Sequence, residues 1–136
     1  MNDHYRRHKD KTQLDSEWRV PIGIGRYYIH VYVWKNIAAL WDNVDPAGDP
    51  EWDPSYPACC LCFQRESGNK QAELHLVTGR FGVGVVVHEL THYLFHWLYE
   101  FEVGDNEGDD EKACLAMGEW NSKFWNKFYK HYEEAK

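Results

Sequence analysis

The sequence predicts a single α+β domain in which a small antiparallel or mixed sheet packs on two helices. Short runs rich in β-branched and aromatic residues occupy the first part of the chain, and two longer segments with helical periodicity follow them. The chain has 136 residues, which is enough for one hydrophobic core, and it contains no internal repeat or long linker. We therefore expect a polar tail, or alternatively a short leading helix, over residues 1–20 and one domain over residues 21–136.

The composition of the chain argues against a nucleic acid or a membrane as its partner. The formal net charge is −7, and the small basic island RRHKDK is too short to follow a nucleic-acid backbone. No apolar run approaches the ~20 residues that span a bilayer, so no membrane partner is expected either. The leading segment MNDHYRRHKDKTQLDSEW lacks the apolar core of a secretion signal. These observations predict a cytoplasmic protein whose four cysteines remain thiols.

Three segments are predicted to be strands. RYYIHVYVW, residues 26–34, is rich in β-branched and aromatic side chains and follows the glycine-containing PIGIG. ACCLCFQ and AELHLVT flank the turn sequence RESGNK and are predicted to form an antiparallel hairpin. Between the first strand and this hairpin, KNIAALWDNV has helical spacing over at least one turn. The segment DPAGDPEWDPSYP holds four of the five prolines and is predicted to be a loop.

Two helices are predicted in the C-terminal part of the chain, at about residues 83–101 and 110–132, with Asp109 or a neighbour able to cap the second. The apolar stripe of the first consists of Val87, Leu90, Leu94, Trp97 and Phe101. The stripe of the second consists of Ala113, Met117, Trp120, Phe124 and Phe128. The ring-rich C-terminal run is expected to pack on the domain, with lysine stems covering the rings.

The first of these helices contains the sequence HELTH, residues 88–92. His88 and His92 are four residues apart and project from one face of a helix, where two imidazoles can both reach a tetrahedral Zn²⁺. Glu89 lies about 100° around the helix from His88, which allows it to act as general base without binding the metal. The apolar stripe occupies a different face, so packing does not explain why both histidines and the glutamate are present. We interpret the motif as a zinc site; core or surface histidines are the alternative.

A catalytic zinc ion that leaves one position to water needs a third protein ligand. His96 is too distant, because eight residues at ~1.5 Å each put it about 12 Å from His88 along the helix. Glu111 follows His92 by 19 residues, enough for the chain to turn and return, and shares its helix face with small residues. The neighbouring Asp110 is the alternative ligand. Either acid would also be explained as a first-turn residue that the helix dipole favours.

HELTH and the downstream DEKACLAMG together resemble the zincin-like metallopeptidases that have an HExxH motif and a glutamate third ligand, most closely the small phage-type members. The resemblance covers roughly residues 74–120, and Cys114 stands where those peptidases usually have alanine. It implies a minimal zincin-like fold whose edge strand, here AELHLVT, holds an extended peptide beside the metal. It also implies the following roles: His88, His92 and Glu111 as metal ligands and Glu89 as catalytic base.

The motif and the resemblance predict a zinc-dependent peptidase that acts on a peptide or protein substrate. Glu89 would take a proton from the attacking water and hand it to the leaving amine. The sequence does not choose among four candidate donors to the developing oxyanion: Tyr93, His96, Tyr99 and His75. The alternative function is a non-catalytic protein-binding module on a zincin-like scaffold, such as a phage-encoded factor that binds a host protein. A chain of this length has little material for substrate pockets, which keeps that alternative open.

Two further patterns carry weaker signals. Cys59 and Cys62 form a CxxC, but it lies within a strand-like run and no second CxxC follows, so buried thiols are expected rather than a structural metal site. His30 and His75 fall within predicted strands and are expected to be structural, although His75 could line the cleft.

Overall fold

The computed structural model describes residues 9–23, 25–44, 55–104 and 106–134, and it confirms the α+β class. The four strands are β1 (Leu14–Pro21), β2 (Tyr28–Trp34), β3 (Ala58–Cys62) and β4 (Lys70–Val77). The three α-helices are α1 (Ile37–Asn43), α2 (Val83–Glu100) and α3 (Asp109–Glu134). Most of the predicted loop DPAGDPEWDPSYP lies outside the described residues. Within the described ranges no helix combines the length and apolarity needed to cross a membrane.

The strands form one mixed sheet in the order β1-β2-β4-β3. The central strands β2 and β4 are parallel, and β1 and β3 pair antiparallel to them at the two edges. The hairpin predicted for ACCLCFQ and AELHLVT is therefore confirmed. The expectation that AELHLVT is an edge strand is wrong, because β4 is bonded on both sides. Nearly every residue of β2 and β4 is buried on both faces, which is typical of the centre of a sheet.

The predicted polar tail is wrong for residues 14–20, which belong to strand β1. Ser16 and Val20 are buried and alternate with more exposed residues, which is the pattern of a strand with one buried face. Between them the ring of Trp18 lies 5.4 Å from that of Phe124 in α3. Pro21 ends the strand at the sheet edge, where a missing N–H is tolerated. Trp18 is surrounded in the sequence by polar and charged residues, and one aromatic residue in such a segment does not predict a strand.

The two faces of the sheet are covered by different helices. Helices α2 and α3 pack on one face against an apolar core that includes Val31, Leu74 and Leu76. Helix α1 packs on the other face, where a second cluster surrounds Tyr32 and Trp34. Because neighbouring residues of a strand point to opposite faces, the residues of β4 divide cleanly between these two environments.

The buried side of α2 differs in part from the predicted stripe. Leu90 is buried as expected, but Val87 is 37% exposed, and the remaining buried positions are Val86, Glu89 and Tyr93. These residues follow i, i+3, i+4 and i+7 spacing, and Leu94 and Trp97 of the predicted stripe also pack, partly buried, against the core, so the predicted stripe is wrong only at Val87. The stripe of α3 is confirmed at its centre, where Trp120 and Phe124 are buried.

Candidate functional site

Helix α2 carries both predicted histidine ligands on its exposed side. His88 and His92 are exposed, and their ring centroids lie 5.1 Å apart with the planes at 79°. The helix begins after Gly82, and valine and glycine in its first turns are poor helix formers. Burial of its sheet-facing side chains therefore stabilises the helix more than intrinsic propensity does. The result is a pair of imidazoles one turn apart on a fixed scaffold, both open to a ligand.

Glu89 lies on the sheet-facing side of α2, about 100° around the helix from His88. Its side chain is 4% exposed, and it makes no hydrogen bond or ion pair with any other described residue. Burial raises the pKa of Glu89 to about 7, because the carboxylate loses hydration and gains no donor in return. A carboxyl group with this pKa can both accept and release a proton near neutral pH, as a general base must.

Tyr56 lies near His88 and is affected by the charge of Glu89. Its ring lies 6.0 Å from that of His88, and its pKa is raised first by burial and then by the charge of Glu89. Tyr56 precedes β3 and is half-buried. No motif in the sequence points to this residue, because it lies within the proline-rich segment DPAGDPEWDPSYP.

The predicted third ligand does not join the histidine pair in the structure. Glu111 and Asp110 are both exposed residues of the first turn of α3. In the described parts of the chain, no three His, Cys, Asp or Glu side chains lie close enough together to hold a metal ion. Glu111 as ligand, with Asp110 as the alternative, therefore stays a prediction.

Asp109 fixes the connection between α2 and α3. Its carboxylate accepts the backbone N–H groups of Gly104 and Asn106 at 2.8 and 2.9 Å, and the Lys112 ammonium lies 3.2 Å away. The two backbone hydrogen bonds are the main reason that the pKa of Asp109 is lowered. Asp109 therefore stabilises the loop that precedes α3 and determines the residue at which α3 begins.

The four candidate oxyanion donors occupy very different positions. His75 is fully buried on the face of the sheet that α1 covers, where its ring stacks on Tyr32, so the expectation that it could line the cleft is wrong. His96 Nε2 lies 2.6 Å from the carbonyl oxygen of Phe63, so this nitrogen is already engaged at the end of β3. Tyr99 is 83% exposed. Tyr93 is fully buried, and its hydroxyl has no hydrogen-bond partner among the described residues.

The cysteines are thiols, as expected, and those of β3 divide between the two faces of the sheet. Cys59 packs with the cluster near α1, whereas Cys60 and Cys62 pack with the core beneath α2. The CxxC pair Cys59 and Cys62 is therefore split across the sheet and does not form a site. Cys60 and Cys62 share a face because residues i and i+2 of a strand point to the same side. The CxxC pattern joins residues i and i+3, which point to opposite sides.

Comparison of the chain with protein-family models, curated proteins and solved structures found no match. The likeness to zincin-like peptidases thus rests on the residues of HELTH and DEKACLAMG alone.

Proposed function

We propose that the chain is a zinc-dependent metallopeptidase whose general base is Glu89. The observation that carries the proposal is the state of this carboxyl group, which is buried without a hydrogen bond or counter-ion among the described residues. Desolvating such a group is unfavourable for folding, and a buried polar group without a partner calls for an explanation. Proton transfer during hydrolysis is one such explanation. It fits the sequence, because Glu89 directly follows His88 and lies three positions before His92.

The residues of α2 fit two of the ligand positions that zinc needs. His88 and His92 would bind the ion through their exposed rings, and Glu111 is the proposed third ligand. When bound, zinc supplies a Lewis acid that polarises the scissile carbonyl and lowers the pKa of an attacking water. Glu89 would accept the proton of that water at its carboxylate and deliver it to the leaving amine.

Strand β3 is the proposed site of the substrate backbone. It pairs with β4 on one side and has no second strand neighbour among the described residues, and α2 packs against it. An extended peptide can add to such an edge through main-chain hydrogen bonds, which bind without selecting a sequence. This placement transfers to β3 the role that the resemblance assigned to AELHLVT.

Zinc content of the purified chain tests the metal site. We expect the zinc content to fall strongly in His88→Ala and in His92→Ala. His96→Ala is the matched control, because this histidine lies on the same helix and already contacts the Phe63 carbonyl. Glu111→Gln and Asp110→Asn decide the third ligand by the same measurement. An unchanged zinc content in His88→Ala would refute the proposed metal site.

Peptide cleavage tests the enzyme separately from the metal. Glu89→Gln should retain zinc and lose hydrolysis of an unstructured polypeptide substrate, measured by the appearance of new amino termini. Full cleavage by Glu89→Gln with zinc retained would refute Glu89 as the base.

A non-catalytic binding module remains the second proposal, and one specific observation favours it. Helix α2 exposes large apolar side chains near its histidines and toward its end, with Val83 66%, Phe95 67% and Tyr99 83% exposed. Val83 is at the start of α2, whereas Phe95 and Tyr99 are one turn apart, and neighbouring exposed apolar side chains are typical of protein-binding surfaces. A biological effect that survives Glu89→Gln but not Phe95→Ala would favour the module over the enzyme.

A further inference from the structure

His30 is a buried histidine on the face of the sheet that α1 covers. It is 9% exposed, and its ring stacks on that of Tyr32 at 4.1 Å with the planes at 12°. The ring of Tyr28 lies 6.4 Å away. Because these three residues occupy alternate positions of β2, their rings project from one face of the strand. The imidazole of His30 is therefore held between two phenol rings.

The Nε2 atom of His30 is buried and has no hydrogen-bond partner among the described residues. The carboxylate oxygen Oε1 of Glu17 lies 3.7 Å from it, which is beyond hydrogen-bond distance. That oxygen accepts a hydrogen bond from Lys11 Nζ at 2.9 Å instead. A neutral imidazole loses little in such a place, whereas an imidazolium carries two donors and a charge that burial disfavours. The surroundings of His30 therefore favour the neutral ring.

The charged groups near His30 do not compensate an imidazolium for its burial. Two cations and two carboxylates face His30 from the neighbouring strands: Arg19 and Glu17 from β1, and Lys70 and Glu73 from β4. Burial is the main reason that the pKa of His30 is lowered from 6.5 to about 4, and the charge of Lys70 lowers it further. The charges of Glu17 and Glu73 act in the opposite direction and are outweighed.

His75, the other buried histidine on this face, is bonded through both ring nitrogens. Its Nδ1 accepts the indole N–H of Trp34 at 2.9 Å, and its Nε2 lies 2.9 Å from Glu73 Oε1. It belongs to β4, which is bonded to a strand on each side. Protonation of His75 would therefore act on the centre of the sheet.

Strand β1 is the element that can separate from His30. It lies at the edge of the sheet, and within the described ranges it is bonded to β2 alone. Its pairing with β2 is irregular between Leu14 and Ser16, and Arg19 is the residue opposite His30. Edge elements open at a lower free energy than the centre of a fold. Separation of β1 from β2 would uncover the imidazole on that side.

We propose that His30 is an acid-sensitive switch: the neutral imidazole keeps β1 on the sheet, and its protonation releases this strand. The neutral ring fits between the two tyrosines, whereas the imidazolium regains hydration when β1 separates. Because the pKa of His30 is lower in the closed state than in an exposed histidine, the closed state is fully stabilised above about pH 6.5. That stabilisation is lost as the pH falls toward about 4. From about pH 7.5 to about pH 5, the ratio of open to closed β1 should rise about 30-fold.

Hydrogen exchange of the full chain, followed by mass spectrometry and corrected for the intrinsic effect of pH on exchange, measures this opening. Amide protection in β1 should fall about 30-fold between about pH 7.5 and about pH 5, and protection in the hairpin of β3 and β4 should fall less. His30→Phe should remove this loss in β1, because phenylalanine keeps a ring between the tyrosines and cannot be protonated. His131→Phe is the matched control: this histidine lies 6.0 Å from the ring of Trp18 in β1, and its replacement should leave the loss unchanged.

Titration of the His30 imidazole, followed by nuclear magnetic resonance, needs no variant and holds if His30→Phe fails to fold. We expect His30 to titrate with a pKa of about 4, and Glu17→Gln should lower this pKa further, because it removes a charge that favours the imidazolium. Neither measurement involves zinc or peptide cleavage, so the outcome is independent of the proposed peptidase. A His30 pKa near 6.5, equal loss of protection in β1 and in the hairpin, or a loss that persists in His30→Phe would overturn the proposal.

Discussion

Replacing Glu73 by glutamine should destabilise the fold by about 3 kcal/mol at neutral pH, although the side chain barely changes size. Glu73 lies in the central strand β4 and is 1% exposed. Its carboxylate oxygens lie 3.2 Å from Lys9 Nζ and 3.0 Å from Lys70 Nζ. Its Oε1 also lies 2.9 Å from His75 Nε2. Glutamine would remove the carboxylate charge that the Lys9 and Lys70 ammonium groups face.

The magnitude follows from the pKa of Glu73. Burial alone would raise it, but the hydrogen bond from His75 and the charges of Lys9 and Lys70 lower it from 4.5 to about 2. This lowering of the pKa corresponds to about 3 kcal/mol of stabilisation. Removing one partner of a buried ion pair typically costs ~3–5 kcal/mol, which agrees with this value. The Trp34 indole donates to His75 Nδ1 at 2.9 Å, so the Nε2 nitrogen carries the proton that Glu73 accepts.

Urea unfolding of the chain and of Glu73→Gln measures this difference. Because the pKa of Glu73 is lower in the folded state, its contribution is fully present above about pH 4.5 and is lost as the pH falls toward 2. The gap between the two proteins should therefore shrink from about 3 kcal/mol at neutral pH to about 1 kcal/mol at about pH 3. Glu66→Gln is the matched control, because Glu66 is 79% exposed and its ion pair with Arg65 is worth about 0–1 kcal/mol. A loss below about 1 kcal/mol at neutral pH, or a gap that does not change with pH, would refute the reasoning.

Three other substitutions test separate parts of the fold by the same unfolding measurement. Tyr93→Phe should leave the metal-free chain as stable or up to ~1–3 kcal/mol more stable, because it removes a buried hydroxyl that has no partner among the described residues; a loss would show that this hydroxyl is bonded. Phe124→Ala should cost about 3–5 kcal/mol, since the ring is fully buried, whereas Leu115→Ala on the exposed side of α3 should cost less than about 0.5 kcal/mol. Asn36→Ala should cost ~1 kcal/mol, because the Asn36 side chain accepts the N–H of Ala39 at 2.8 Å and caps α1; an unchanged midpoint would contradict that role.

The elements that repeat a strong local pattern could be predicted from the sequence. β2, the hairpin of β3 and β4, and the two long helices all follow from apolar periodicity and turn residues, and their limits lie within a few residues of the predicted ones. Strand β1 was missed because an edge strand buries few side chains and its charged residues look like a tail. The position of β4 at the centre of the sheet depends on pairing with β2, which is about forty residues distant in sequence, and no local pattern contains that information.

The candidate site could be predicted only in part. Helical spacing predicts the positions of its histidines, whereas the positions of Glu89 and Glu111 depend on tertiary packing. The spacing of HELTH is sufficient to place His88 and His92 one turn apart on α2, and the structure has them so. The burial of Glu89 depends on how α2 is rotated against β3, and a helical pattern with apolar residues on most sides does not fix that rotation. The third ligand depends on how α3 packs on α2, which is a tertiary property, and Glu111 accordingly stays untested.

Two buried glutamates on opposite faces of one sheet show that burial alone does not determine whether the pKa of a carboxyl group is raised or lowered. Glu73 is surrounded by Lys9, Lys70 and His75, and its pKa is lowered to about 2. Glu89 has no such partners in the described chain, and its pKa is raised to about 7. The first arrangement stabilises the fold and needs nothing further. The second is unfavourable for the isolated chain, and an unfavourable arrangement beside two exposed histidines is what a site for a cation and a reacting proton requires. The fold therefore contains one carboxylate that has a structural role and one, Glu89, for which we propose the role of general base.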